Sequence, residues 1–167
     1  MGKLNNTKEA QLEQNLIDLL CAQHGQWTFR SDLKTEEDLW NNLRNIIEIR
    51  NKSELNDNML TDSEFERIRS EILANTKTPF EAAKWLRGEK GKCSVVLERD
   101  NGLGRIELII YSSIEKNGGF SSYEIVHQIA KNKSNLEERS RRFDITLLIG
   151  GLPIIQIELK TAIAKDG

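Results

Sequence analysis

Apolar residues recur every three or four positions through the first half of the chain, which is the spacing of one helix face. The pattern predicts four helices. Their apolar faces comprise Leu12, Leu16, Leu19 and Leu20 in the first helix, Leu39, Leu43, Ile46 and Ile47 in the second, Phe65, Ile68 and Ile72 in the third, and Phe80, Ala83 and Leu86 in the fourth. Helix-start signals precede these faces, namely Asn6 with Glu9, Thr35 with Asp38, Asp62 or Ser63, and Thr78 followed by Pro79.

Short apolar segments separated by turn residues follow Gly91. Residues 94–99 and 105–111 flank the sequence Asp-Asn-Gly, which predicts a β-hairpin with a tight turn. Residues 120–129 favour a strand over a helix, and two strongly apolar runs, 145–149 and 154–157, predict two more strands. Helices followed by a sheet predict a layered α/β (α+β) fold.

Composition narrows the class of protein. The 167 residues include 24 Lys and Arg against 26 Asp and Glu, so the net charge of −2 excludes a generally basic surface but not a local basic patch. Cys21 and Cys93 form no CxxC pair, which favours a reducing compartment. No apolar run approaches the roughly 20 residues that span a bilayer, and no signal peptide precedes the first helix. We therefore expect one cytoplasmic domain over residues 1–167, with no membrane contact.

Polar residues at the ends of the last two apolar runs are the strongest candidates for chemistry. Asp144 begins one run, and Glu158 and Lys160 end the next. A carboxylate pair at one end of a hairpin suits a hard divalent cation. A lysine two residues after the glutamate lies on the same strand face, where it could position an attacking water or stabilise charge on a phosphate. The alternative is a solvated strand end with one ion pair.

The register of this hairpin decides whether the two carboxylates can meet. A two-residue turn at Gly150-Gly151 would pair position 144 with position 157 and point Asp144 and Glu158 to opposite faces. A three-residue turn, or a bulge at Pro153, would instead pair 144 with 158. The metal site therefore requires an odd loop or a bulge.

The run Phe143-Asp-Ile-Thr-Leu-Leu-Ile-Gly-Gly-Leu-Pro-Ile-Ile-Gln-Ile-Glu-Leu-Lys160 resembles the nuclease motif of the R (motor) subunit of type I restriction-modification enzymes. In that family the motif reads R-x-D-x-x-x-x-x-N-G-L-P-x-x-x-x-E-x-K. Position 150 is glycine here where the family has asparagine, and glycine accepts the same positive φ. The leading helix and a strand ending near Val126-His127-Gln128 also follow the order of that family.

The resemblance implies a PD-(D/E)xK nuclease core, a mixed sheet flanked by helices. Asp144 and Glu158 would bind Mg²⁺, with Mn²⁺ as a substitute, and Lys160 would be the catalytic lysine. Glu13 matches the acidic residue of the leading helix, with a solvated helix face as the alternative, and the carbonyl of Leu159 is a further candidate ligand. Gln156, on the face of Glu158, could contact the metal shell or DNA.

A metal-dependent endonuclease acting on double-stranded DNA is the function that the resemblance implies. Cleavage would follow ATP-driven translocation, with a methyltransferase subunit and a specificity subunit as partners in a bacterial or archaeal cytoplasm. The chain contains no G-x-x-x-x-G-K-[ST] loop, so we expect ATP to bind in a motor outside it, and this piece to be the N-terminal part of a longer protein. A Gln-x-x-x-Tyr element of the family would also lie downstream.

Basic residues between the strand at 120–129 and Asp144 could lead DNA into the site. They are Lys131, Lys133, Arg139, Arg141 and Arg142, and a solvated loop is the alternative. His24 and His127 lack partners at metal-ligand spacing, so we expect them to be ordinary polar residues. A non-catalytic DNA-binding or subunit-docking module with the same fold is the rival function, which an exposed apolar patch on helices two to four would favour.

Overall fold

The structure, a computed structural model, describes residues 2–22 (side chains from residue 8), 26–113, 122–129 and 144–160. The chain divides into two compact units, Met1–Asn41 with Ser122–Gly167, and Asn42–Ser121. The expectation of one endonuclease domain over residues 1–167 stays a prediction. None of the helices described is long and apolar enough to cross a bilayer.

All four predicted helices are present, but a short strand lies between the first and the second helix, where the sequence predicts none. The helices are α1 (Gly2–Ala22), α2 (Glu36–Arg50), α3 (Asp62–Asn75) and α4 (Pro79–Arg87). The strands are β1 (Thr28–Phe29), β2 (Lys92–Glu98), β3 (Arg105–Ser112), β4 (Tyr123–His127), β5 (Ile145–Ile149) and β6 (Leu152–Ile157). The mixed α/β class is confirmed, and the two-residue strand β1 is an addition that periodicity could not reveal.

A four-stranded mixed sheet forms the centre of the first unit, in the order β1-β4-β5-β6. β1 runs parallel to β4, and the other pairs are antiparallel. Both sheet faces are covered, since Ile17 of α1 packs with Ile125 and Ile145, whereas Leu33 packs with Val126 and Leu148. Strand residues alternate between faces, so these clusters lie on opposite sides of the sheet. This double coverage explains why β5 is almost continuously apolar.

The β2–β3 hairpin and the helices packed on β2 build the second unit. Its buried apolar side chains are Leu43, Ile47, Leu55, Leu60, Phe65, Ile68, Ile72, Cys93, Val95, Leu97, Leu108 and Ile110. The predicted helix start at Asp62 or Ser63 is wrong by one or two positions, because Thr61 is the N-cap and forms a capping box with Glu64. The predicted start at Thr78-Pro79 is confirmed, and the hairpin turn is a short 3-10 helix over Asp100–Gly102.

Two predicted helix faces are partly wrong. α1 begins at Gly2, ahead of the predicted cap at Asn6. Leu12 and Leu19 are exposed, whereas Ile17, which the predicted face does not include, is buried. In α4, Phe80 is 76% exposed although its spacing predicts a core position. Helical spacing identifies apolar residues that share a side, but the location of the neighbouring elements decides which side is buried.

Candidate active site

Termini of three neighbouring strands, β4, β5 and β6, lie at the same end of the four-stranded sheet. His127, the last residue of β4, pairs with Ile145 at the start of β5, and Ile145 pairs in turn with Ile157 at the end of β6. Asp144 precedes β5 and Glu158 follows β6, so both carboxylate residues lie at this end of the sheet. Antiparallel pairing alone produces this result, because each strand begins where its neighbour ends.

A bulge in β6 sets the register of the last hairpin. Gly150 and Gly151 form a two-residue turn with φ of 60° and 79°, and Ile149 pairs with Leu152. Further along, Leu147 pairs with Ile155, so Ile154 is an extra residue on β6. The three-residue turn is therefore wrong, and the alternative of a bulge next to Pro153 is confirmed.

The bulge places Asp144 across from Glu158. Because Ile145 pairs with Ile157, the next position on each chain brings residues 144 and 158 opposite each other and onto one face. Ile157 and Leu159 pack with the apolar cluster on the α1 side of the sheet, so alternation directs the intervening Glu158 to the opposite side. The register therefore meets the requirement stated from the sequence, namely that a bulge or an odd loop puts residues 144 and 158 on one face.

Hydrogen bonds and charge further define the strand end. The backbone N–H of Leu159 donates to Oδ2 of Asp144 at 2.5 Å. Lys160 Nζ lies 3.5 Å from Glu158 Oε1, and both side chains are largely exposed. The ammonium group of Lys160 therefore lies beside the carboxylate of Glu158, and both groups are accessible to solvent.

Glu13 reaches the same strand end from α1. Its side chain is buried, so the alternative of a solvated helix face does not describe it. Gln128 Nε2 donates to Glu13 Oε2 at 3.0 Å, and His127 Nδ1 lies 3.9 Å from the same oxygen. The backbone N–H of Gln128 also donates to the carbonyl oxygen of Asp144 at 3.2 Å. Glu13 is thus connected to Asp144 through Gln128.

The donor set suits a hard cation, although the carboxylates are not gathered tightly. Among the residues that the structure describes, no three His, Cys, Asp or Glu side chains are grouped so that they could hold a metal ion. Mg²⁺ commonly takes only one or two carboxylates and completes its octahedron with water. Asp144 and Glu158 on one face fit that requirement, with carboxylate and carbonyl oxygens as the appropriate donor type.

Several predicted site residues cannot be placed. Lys131, Lys133, Arg139, Arg141 and Arg142, the predicted DNA-binding cluster, lie outside the described residues, as does His24. Gln156 lies on β6 opposite Thr146, with its side chain exposed. Gln156 is therefore accessible from solvent at the surface of the sheet.

His127 and Gln128 contact the candidate site, but sequence reasoning gave neither a role. The His127 ring meets the Phe29 ring edge-on, with centroids 5.2 Å apart. The available sequence signal was position, since His127 ends the strand that precedes the motif and Gln128 follows it directly. The spacing of metal ligands along the chain does not indicate these residues, because their partner Glu13 lies more than one hundred positions earlier.

Comparison with known proteins gives one family. The family model described as "Type I restriction enzyme R protein N terminus" matches residues 6–166. The type I restriction enzyme SsaAORF53P endonuclease subunit of Staphylococcus saprophyticus is 33% identical over 130 residues, which is 77% of this chain and 12% of that protein. The SauCOLORF180P endonuclease subunit of Staphylococcus aureus strain COL is 32% identical over 133 residues, 78% of this chain and 13% of that protein.

The chain therefore corresponds to about an eighth of the length of these relatives. No solved structure matches it. The matched region includes the whole hairpin that carries Asp144, Glu158 and Lys160.

Proposed function

Because this chain belongs to the family of type I restriction enzyme R protein N termini, we propose that it is a metal-dependent endonuclease domain that hydrolyses phosphodiester bonds in double-stranded DNA. The observation that carries the proposal is the bulged register of β5 and β6, which brings Asp144 and Glu158 onto one face. A docking role alone would not require this pairing.

Asp144 and Glu158 are the proposed ligands of Mg²⁺, for which Mn²⁺ can substitute. Glu13 and the carbonyl of Leu159 are proposed as further oxygen donors. The cation, when bound, supplies Lewis-acid stabilisation of the charge that develops on the phosphate. The protein contributes the orientation of the donors, and the Leu159 N–H to Asp144 bond is part of that orientation.

Lys160 is the proposed catalytic lysine. Its ammonium group would orient the attacking water or stabilise the negative charge on the phosphorane. Lys160 Nζ lies 3.5 Å from Glu158 Oε1, so the ammonium group is next to a proposed metal ligand. Gln156 would contact DNA or the metal shell, and Lys131, Lys133, Arg139, Arg141 and Arg142 would follow the DNA backbone.

In the whole subunit, cleavage would follow translocation along DNA driven by ATP, which would bind in a motor outside this chain. A specificity subunit would choose the sequence, and a methyltransferase subunit would complete the complex in the bacterial cytoplasm.

A calorimetric titration of Mn²⁺ into the purified protein tests the proposal. Asp144→Ala and Glu158→Ala are the test variants, and Glu66→Ala, which removes an exposed carboxylate paired with Arg69 in the second unit, is the control. We expect binding to the parent and to the control, and its loss in both test variants, each shown by circular dichroism to be folded. A parent that binds no Mn²⁺, or test variants that bind as the parent does, would contradict the metal site.

A docking role for the second unit is a second candidate. Ile49 of α2 and Met59 are 53% and 66% exposed, and both line one groove together with Asn45 and Lys52. Exposed apolar side chains beside a groove favour contact with another protein surface. We expect Ile49→Asp with Met59→Asp to weaken assembly with the methyltransferase subunit in size-exclusion chromatography, while Mn²⁺ binding stays unchanged. Normal assembly of this double variant would contradict the docking role.

A further inference from the structure

A basic segment of the second unit runs from Lys77 through α4 to the start of β2. It contains five cationic residues and two carboxylates, Glu81 and Glu89, so its net charge is +3, whereas the whole chain carries −2. All five cationic side chains are exposed, and together they form what we call the α4 basic patch: Lys77, Lys84, Arg87, Lys90 and Lys92. A local excess of cations is the usual electrostatic signature of a surface that binds a polyanion.

The cations of the α4 basic patch differ from other cations of the second unit in their partners. Within the described part of the chain, none of the five forms an ion pair or a side-chain hydrogen bond. In contrast, Arg44, Arg67 and Arg99 each bind a carboxylate. The charge of the patch is therefore available to an external anion, and no internal ion pair has to break when that anion binds.

An exposed aromatic ring lies among these cations. Phe80, Lys84 and Arg87 follow one another at helical spacing, so they share one face of α4. That face is exposed, with Phe80 at 76%, whereas Trp85 and Leu86 are half-buried on the side that packs toward β2. The helix thus presents aromatic and basic groups together to solvent, a combination that is typical of surfaces that bind nucleic acid.

Two adjoining grooves connect α4 to the start of β2. Trp85 and Gly88 line both grooves, and Lys84 lines one of them, while Lys90 and Lys92 line the other. The patch is therefore continuous around Trp85 and is not a set of separate surface lysines. A continuous group of cations can contact neighbouring phosphates of one nucleic-acid backbone.

We propose that the α4 basic patch is a contact surface for the phosphate backbone of double-stranded DNA, outside the nuclease motif. The proposal rests on the proposed function, because DNA is the proposed substrate. Contacts of this kind add affinity and position the duplex without reading its sequence. An anionic membrane surface fits less well, because a helix that lies in a membrane interface needs a free apolar side, and the half-buried side of α4 already packs on β2.

The salt dependence of DNA binding tests the proposal. Fluorescence anisotropy of a labelled duplex, titrated with the chain in EDTA at several NaCl concentrations, gives the Kd and its salt slope without cleavage. The test variant is Lys84→Ala with Arg87→Ala. The matched control is Lys52→Ala with Arg105→Ala, which removes the same charge from the second unit at Lys52, paired with Asp57, and at the end of the hairpin opposite to Lys92.

We expect the slope of log Kd against log salt to fall by about 2 in the test variant, since each lost phosphate contact removes about 0.9. The Kd should rise equally for two duplexes of unrelated sequence, and the control should match the parent. Circular dichroism checks that all variants are folded.

Three outcomes would overturn the proposal. They are equal slopes in the test variant and the control, a parent that binds no duplex, and a parent that binds phosphatidylglycerol vesicles but not the duplex. The Mn²⁺ titration decides independently whether Asp144 and Glu158 form a metal site. The nuclease proposal can therefore stand when the α4 basic patch fails, and the patch can bind DNA when the metal site fails.

Discussion

The backbone amide of Leu159 donates to the carboxylate of Asp144 across the end of the β5–β6 hairpin, at 2.5 Å. This bond joins the residue before one strand to a residue after the next, and it lies beside Glu158. It therefore orients one proposed metal ligand with the backbone of the segment that carries the other. The carboxylate of Asp144 has a structural contact as well as a proposed chemical role, and the two can be measured separately.

Asp144→Asn and Asp144→Ala distinguish the two roles. Asparagine keeps an oxygen that can accept from Leu159, whereas alanine leaves that N–H without it. We expect alanine to lower the free energy of unfolding by about 1–3 kcal/mol and asparagine by less than about 1 kcal/mol. Urea denaturation measures both. Equal losses in the two variants would show that the hydrogen bond does not stabilise the hairpin.

Glu64 and Arg99 form a buried ion pair in the second unit, at 2.7 Å. Burial raises the pKa of Glu64, but the Arg99 guanidinium and the amides of Thr61 and Asp100 outweigh it, so the pKa is lowered overall. Because the folded pKa lies below the unfolded one, the stabilisation is present at neutral pH. It is lost as the pH falls below the ordinary glutamate pKa of about 4.3.

Glu64→Gln should lower the free energy of unfolding at pH 7 by about 3–5 kcal/mol, because Arg99 would remain buried without its carboxylate. It should also flatten the decline of stability between about pH 5 and pH 3. The matched control is Glu66→Gln, which removes an exposed carboxylate of the same helix. Denaturant titrations across this pH range would disprove the assignment if the two variants behaved alike.

Gly88 ends α4 with φ of 52° and ψ of −161°, a combination that is essentially restricted to glycine. A Cβ at this position would lie 1.8 Å from the carbonyl oxygen of Lys92. We expect Gly88→Ala to cost more than about 3 kcal/mol of unfolding free energy, since the backbone must move. Gly102 also has a positive φ, but a Cβ there would meet no atom within 4 Å, so Gly102→Ala should lower the free energy of unfolding by only about 1–2 kcal/mol. Comparable losses by chemical denaturation would refute the steric explanation.

Cys93 is buried on β2, and burial, with a smaller contribution from the charge of Glu71, raises the pKa of its thiol to about 12. The reactive thiolate is therefore scarce at neutral pH. In a Cys21→Ser variant, a thiol reagent at pH 8 should label the protein only after urea is added. Rapid labelling of the native variant would contradict the burial of Cys93.

Local signals predicted most of the secondary structure. Thr78-Pro79 starts α4, and Thr35 and Asp38 exchange hydrogen bonds across the start of α2, as the sequence indicated. These signals succeed because the atoms that satisfy a helix end come from residues three positions apart. The exposed Phe80 shows the limit, because helical spacing does not reveal which side meets another element.

The candidate site required more than local signals. The sequence reduced the hairpin to two possibilities, with Asp144 and Glu158 on one face or on opposite faces, and identified Pro153 as a cause for a bulge. The extra residue at Ile154 selects the first possibility. The contact between Glu13 and Gln128 had no sequence signal, since neither residue has a spacing or a motif that names the other.

The sequence by itself determined the residue types, the starts of α2 and α4, the apolar strands and the family motif, because each depends on neighbours within a few positions. The tertiary structure decided the strand register, the burial of Ile17 instead of Leu12, and the connection from Glu13 through Gln128 to Asp144. Those features depend on residues far apart in the chain that meet only when helix and sheet pack, and packing chooses among arrangements that local patterns leave equivalent.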